Sequence, residues 1–361
     1  MVSEEVIIDL TLGEPEFSTP MHVIDAAYKA MREGYTHYEP IEGLRELREA
    51  IAQYYSKYGV NYKFSNIIIT AGSSAAMYTA LATLLKAGDE AIVFEPYYPF
   101  YYRQIEHTGA KAVKVQLDME KKFHLDIDRL RKAISDKTKV IIFATPNNPT
   151  GTVLTKKELT EIADVSKENN LFVISDEVYN EFVWSGHEHI TIASMEGMEG
   201  RTIILNGVSK TFAMTGWRVG YAIASAEVVM RMARVPISSS SMVATFAQVA
   251  GMEALKGPWT QIKDLINDYQ NRAQYFSKRL NEIKGITCLM PEASFYIFPS
   301  IKELGISSEK FTTGLLKYKV KVANGTQFGD SGEGHVRMSL CKSVEALDEA
   351  AKRIEKFVKS L

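Results

Sequence analysis

The sequence predicts an α/β fold: a mostly parallel central sheet covered by helices on both faces, joined to a smaller α+β domain. Three observations predict it. Short Val/Ile-rich runs alternate with amphipathic helical patterns through the middle of the chain. Polar residues directly follow many of these runs, as they do at the carboxyl ends of parallel strands where ligands bind. Past Gly257 the rhythm changes to one long amphipathic helix and then to short mixed elements. The length agrees, since 361 residues make two or three domains at ~150 residues each.

Taken in order, the first segment carries one helix. "STP" at Ser18, Thr19 and Pro20 reads as its start, Val23, Ile24, Ala27 and Met31 as its buried face, and Gly34 as its stop. "NIIIT" is a buried strand that breaks at Gly72, and "SSAAMYTALATLLKAG" is the helix after it, capped by a serine. "EAIVFEP", "AKAVKVQL", "KVIIFATP", "LFVISDE" and "RTIILNG" are further strands, with helices around "DIDRLRKAI" and over "KKELTEIADVSKENN". "SSSSMVAT" from Ser238 is a loop leading into a helix. Then come the long helix "TQIKDLINDYQNRAQYFSKRLNEIKG", "ASFYIFPSI", a helix near "EKFTTGLLKYK", "GHVRMSLC" and a closing helix. The expected division is an N-terminal segment 1–39 packing with the small domain, a large domain 40–260 and a small domain 261–361.

Composition narrows the function classes. A formal net charge of -2 gives no reason to expect nucleic acid or an acidic membrane as partner. The start, "MVSEEVIIDL", is acidic where a signal peptide is basic, and no apolar run approaches the ~18 residues that span a bilayer. Two cysteines, Cys288 and Cys341, make no disulfide framework, so a reducing cytoplasm is the simple expectation. No metal site is expected.

Several residues then stand out, each with an ordinary alternative. Lys210, after "RTIILNG", is by itself a surface lysine, or else a Schiff-base lysine if sheltered. Asp176 ends the apolar run "LFVIS", where a carboxylate is costly unless it caps a helix, pairs or serves a cationic nitrogen. Tyr179, three places on, either packs or reaches the same ligand. "TPNNPTG" is a tight turn in any protein, and Asn148 before Pro149 is held out of the helical region, with a cis bond there as a candidate. "AGSSAAM" joins a strand to a helix; it is either a plain cap or a phosphate site built from free N–H groups with Ser73 and Ser74. It is not a GxxxxGK loop, and no GxGxxG is placed as a dinucleotide site. Arg337 interrupts the strand "GHVRMSLC" and is either an edge residue or a fork for a substrate carboxylate.

Five motifs in one order, "YTHYEPIEGLRELREAI", "PYYPFY", "PNNPTG", "SDEVY" and "SKTFAMTGWRVGY", resemble the class I/II aminotransferases that use pyridoxal phosphate on the fold type I scaffold. The resemblance covers nearly the whole chain. It implies that Lys210 holds the cofactor aldehyde and moves the proton at Cα, and that Asp176 pairs with the ring nitrogen. It implies that Tyr179 and Asn148 bond the phenolic oxygen and that Tyr98 stacks on the ring. Ser73, Ser74 and Arg218 would hold the phosphate, with Tyr38 reaching over from a second subunit of a homodimer. Arg337, Asn148 and the backbone at Gly13 would hold the substrate carboxylate. Gly207 stands where relatives often have a phosphate-binding serine, which Ser209 would have to replace. The implied reaction is ping-pong transfer of an amino group from an L-amino acid, with aspartate, broad or aromatic specificity, to a 2-oxo acid such as 2-oxoglutarate. A carbon–sulfur β-lyase shares the scaffold, and a non-catalytic regulator is a remote third reading. For a distal carboxylate the candidates are Arg32, Arg103, Arg231 and Arg234, whereas "YYPFYY" and Phe17 suit apolar side chains.

Overall fold

The computed structural model describes residues 6–361. In chain order the first half comprises β1 Ile8–Asp9, α1 Met21–Arg32, α2 Arg45–Ser56, β2 Ile67–Thr70, α3 Ser73–Leu84, β3 Glu90–Glu95, α4 Phe100–His107, β4 Lys111–Gln116, α5 Ile127–Ala133, β5 Thr138–Ala144 and α6 Lys156–Glu168. There follow β6 Phe172–Asp176, β7 Thr202–Gly207, β8 Gly220–Ile223, α7 Ala226–Met232, α8 Arg234–Ile237, α9 Thr245–Lys256 and α10 Thr260–Asn281. The chain ends with β9 Tyr296–Ile297, α11 Ser308–Leu316, β10 Val320–Lys321, β11 Ala323–Asn324, β12 Val336–Ser339 and α12 Val344–Val358.

Seven strands form the central sheet in the order β2-β8-β7-β6-β5-β3-β4. All pairings are parallel except those of β8, which runs antiparallel to both β2 and β7. The apolar runs are continuous because both faces are covered. Ile68, Val93, Ile142, Ile174, Leu205 and Ala222 pack under α3, α4 and α7 on one face. On the other, Ile141 and Val173 meet α6, while Ile69, Ile204 and Ile223 meet α1, α2 and α9. Each such isoleucine contributes roughly 1.5–3 kcal/mol by burial.

The predicted strand runs all appear, and "VGYAI" adds β8, a strand the sequence reading does not assign. A run of four residues led by glycine carries little strand signal. Other local expectations need correction. In α1 the buried residues are Val23, Ala27 and Ala30, while Met31 is exposed, because a helix advances 100° per residue and the contact stripe follows 23, 27 and 30. Neither Ser18 nor Thr19 caps that helix: Pro20 is the cap residue, and the Thr19 hydroxyl donates instead to the Ala213 carbonyl. Likewise Gly72, not a serine, caps α3, with no side chain bonded to its first N–H groups.

Beyond α9, an antiparallel sheet β11-β12-β9 packs with α10, α11 and α12 around Tyr269, Phe276, Phe295, Phe311 and Ile354. The N-terminal segment touches both regions. β1 pairs in parallel with β10, Leu10 enters the core of the C-terminal region, and α1 packs against α9. Between β1 and α1, the segment 10–19 lies against the loop after β7, where Gly13 accepts from Lys210 and Thr19 donates to the Ala213 carbonyl. Cys288 and Cys341 are buried free thiols.

Candidate active site

At the carboxyl end of the sheet lies a cavity of about 450 Å³. Asp176 is the last residue of β6, so strand alternation aims its carboxylate into this space. Tyr101, near the start of α4, donates to its Oδ2 at 2.5 Å, and the Val178 N–H donates to Oδ1 at 3.3 Å. Burial raises the Asp176 pKa to about 6, against the opposing pull of these two bonds. Both donors are neutral, so this buried carboxylate calls for a cation.

Lys210 follows β7 and lines the same cavity, where its Nζ donates to the Gly13 carbonyl at 2.7 Å. Tyr179 is buried, which pushes its phenol well up, and it donates to Tyr296 Oη at 3.3 Å. It therefore remains a protonated donor at neutral pH. Tyr98 and Asn148 also line the cavity, and the Asn148–Pro149 bond is cis.

At one end the cavity becomes a cradle. Arg218 adopts left-handed backbone (φ 55°) and donates to the carbonyls of Thr215 at 2.8 Å and Ala71 at 3.1 Å. Gly72 has φ 86°, and a Cβ there would lie 2.3 Å from Arg218 Nη2. So the start of α3, with Ser73 and Ser74 and no side-chain cap, faces the Arg218 guanidinium, and the left-handed φ at Gly72 favours glycine there. The backbones below are stacked equally closely. A Cβ on Gly220 would lie 2.3 Å from the Gly72 carbonyl carbon, and one on Gly207 would lie 2.9 Å from the Val219 carbonyl oxygen. That contact explains the departure at Gly207, since a serine would collide with β8; Ser209 lines the cavity instead.

At the opposite end stands Arg337, on β12 and only 9% exposed. It donates from Nη1 to Asn148 Oδ1 at 3.1 Å and from Nη2 to the Thr11 carbonyl at 2.6 Å. Its Nε has no partner among the described residues. The guanidinium lies over the rings of Tyr296 at 4.3 Å and Phe328 at 4.9 Å. A buried cation held by neutral acceptors is ready for an anionic ligand.

Of the predicted residues, Gly13, Ser73, Ser74, Tyr98, Asn148, Asp176, Tyr179, Ser209, Lys210, Arg218 and Arg337 line this one cavity. Tyr38 does not. It is 90% exposed on the outside of the chain, beside a surface hollow with Met242 and Thr245. None of Arg32, Arg103, Arg231 and Arg234 lines the cavity, and Arg231 donates outside it to the Thr83 carbonyl. Phe17 faces a neighbouring hollow with Phe212, Ile262 and Leu265, not the site. Sequence reasoning missed Tyr101 and Tyr296. Tyr101 had a signal, three places after Tyr98 in the aromatic run "PYYPFY"; Tyr296 had none beyond a strand pattern.

The family model described as aminotransferase class I and II matches residues 5–354. The chain belongs to the class I and II aminotransferases. It is 42% identical over 360 residues to the aromatic-amino-acid aminotransferase 2 of Thermococcus litoralis, covering 98% of this chain and 92% of that protein. It is 41% identical to an aspartate aminotransferase of Pyrococcus horikoshii, covering 98% of this chain and 90% of that one. The crystal structure of an aromatic aminotransferase from Pyrococcus horikoshii superposes with a TM-score of 0.96 at 41% identity, covering 99% of this chain and 97% of that chain. The protein is thus an aminotransferase with the α/β fold of its relatives. Among the described residues no helix is long and apolar enough to cross a membrane.

Proposed function

We propose that this aminotransferase works with pyridoxal phosphate at the cavity between Gly72 and Arg337. The observation that carries the reading is the convergence of a lysine amine, a buried carboxylate in no salt bridge and a buried arginine without an anion on one space. The residues fit that cofactor. Ser73, Ser74, Ser209 and Arg218 form a cradle for the phosphate, which a Cβ on Gly72 would fill. Asp176 suits a protonated ring nitrogen, Tyr98 a ring face, and Tyr179 with Asn148 a phenolic oxygen. When bound, the cofactor supplies an aldehyde for the amino group and a ring that delocalises the electron pair left at Cα.

The chain's own residues do the rest. Arg337 and Asn148 orient the substrate carboxylate, with the backbone at Gly13 beside them. Asp176, once paired, is held ionised and keeps the ring nitrogen protonated. Lys210 would take up and return the proton at the substrate Cα, and the Gly13 carbonyl holds its amine in place. The exchange is ping-pong: an L-amino acid leaves as a 2-oxo acid before a second 2-oxo acid, such as 2-oxoglutarate, enters.

Among the described residues the cations lining the cavity are Lys210, Arg218 and Arg337, and its remaining walls include Leu12, Phe100 and Phe328. This favours a broad, aromatic-accepting donor specificity over strict aspartate specificity within one chain. Tyr38, exposed and outside its own cavity, supports a homodimer in which each chain's Tyr38 completes the other's phosphate cradle. The protein would work in the cytoplasm, with a large domain to residue 260 and a small one after it. The test is a half-reaction screen. Each amino acid is mixed with cofactor-loaded protein and the visible absorbance is followed. Aromatic donors should bleach it fastest, and Lys210→Ala should abolish both the band and turnover. Wild-type turnover in Lys210→Ala would sink the reading. Pyruvate released from cysteine conjugates without an added 2-oxo acid would mark the β-lyase instead.

A further inference from the structure

Arg272 lies on the face of α10 that also carries Tyr269, Ala273, Phe276 and Leu280, all buried in the C-terminal core. Its side chain is 7% exposed. An arginine among such neighbours is no default choice for stability, because apolar replacements of buried ion pairs are often neutral or favourable. Its partners indicate another use. Nη2 donates to Glu16 Oε1 at 2.5 Å and lies 2.7 Å from Asp268 Oδ2, one turn back on α10. Nη1 donates to the carbonyls of Lys342 at 2.6 Å and Leu340 at 3.3 Å, just past the end of β12. The guanidinium thus grips the segment 10–19 on one side and the strand bearing Arg337 on the other.

That segment supplies backbone carbonyls to two of the site's three cations: Thr11 accepts from Arg337 and Gly13 accepts from Lys210. Its other flank is fastened to the loop after Lys210. There Glu14 meets the Thr215 hydroxyl, Thr19 bonds the Ala213 carbonyl, and Trp217 Nε1 donates to Thr19 at 3.0 Å. We infer that Arg272 is a positioning residue, which through Glu16 sets the segment 10–19 and so the placement of Lys210 and Arg337 relative to each other. The inference rests on the amino-group-transfer reading above, since the two cations are what the segment serves.

The test compares Glu16→Gln, Arg272→Lys and Asp268→Asn in the cofactor-loaded protein. Two readouts are taken: amide hydrogen exchange over residues 10–19, and steady-state KM and kcat for donor and acceptor. Loss of one charge-assisted hydrogen bond predicts roughly tenfold higher KM for both substrates in Glu16→Gln and Arg272→Lys, with kcat falling far less. Exchange over the segment should accelerate in both. Asp268→Asn breaks only the contact within α10 and should leave both readouts as in wild type. Wild-type exchange and KM in Glu16→Gln would overturn the inference, and so would an equal KM change in Asp268→Asn. Should Arg272→Lys fail to fold, Glu16→Gln decides, because Glu16 is one-third exposed. Absence of turnover in wild type would refute the function instead, and the exchange result alone would then decide whether Arg272 holds the segment.

Discussion

Asp176→Asn should make the cofactor-free protein more stable while removing its activity. Burial moves the carboxyl from its ordinary 3.8 to about 6. At ~1.4 kcal/mol per tenfold change in an ionisation constant, ionising Asp176 at pH 7 costs the folded chain about 3 kcal/mol relative to the unfolded one. The sign follows from protons bound. Between about pH 4 and pH 6 the folded state holds the proton that the unfolded state has released. This group's contribution is therefore full below about 3.8 and is lost as pH rises through about 6. Asparagine has nothing to ionise. Denaturant unfolding of the cofactor-free variant should exceed wild type by about 3 kcal/mol at pH 7 and by well under 1 kcal/mol at pH 4. Loading with pyridoxal phosphate should reverse the order at pH 7, because its ring nitrogen is the missing cation. A variant less stable than wild type at pH 7 without cofactor would refute the reasoning, since Asp176 would then already be satisfied.

Gly72→Ala combines a strained backbone at φ 86° with a Cβ 2.3 Å from Arg218 Nη2. It should weaken cofactor affinity at least roughly tenfold, measured by titrating the cofactor-free protein, and lower stability by ~1 kcal/mol or more. His124 sits between two carboxylates, with Nδ1 3.1 Å from Glu158, in the capping box of α6, and Nε2 3.3 Å from Glu292, before β9. Hydrogen bonds to Glu158 and then Glu292 raise its pKa from 6.5 to about 10. The stability margin of wild type over His124→Gln should be full below about pH 6.5 and vanish as pH rises through about 10, as read from thermal unfolding at each pH. A margin independent of pH would show that the imidazole acts by packing.

Much of the site was legible because its residues directly follow strand runs. Asp176, Lys210 and Asn148 stand at the ends of "LFVIS", "RTIILNG" and "VIIFA", where open parallel sheets place ligands. The site's closure was less legible. Tyr296 meets Tyr179 across 117 residues and Arg337 reaches Asn148 across 189, and no local pattern encodes such pairs. Cap residues were misjudged for a related reason. Thr19 and Ser73 read locally as helix starts, yet tertiary contacts engage the Thr19 hydroxyl, and the backbone enters α3 through a left-handed Gly72. β8 went unseen because its reason for being short and glycine-led is the approach of Gly207 on one side and Gly72 on the other.

That stack of three glycine backbones bears on when the chain could capture the proposed cofactor. The two walls of the phosphate cradle come from chain positions 72–74 and 218, and they meet only after β8 has slotted between β2 and β7. A nascent or partly folded chain with β8 unplaced has the start of α3 but no guanidinium opposite it. Cofactor uptake then becomes a signal that the sheet is finished, and a ligand that binds only the finished form shifts the population toward it. Refolding with the cofactor present should then raise the yield of the finished sheet.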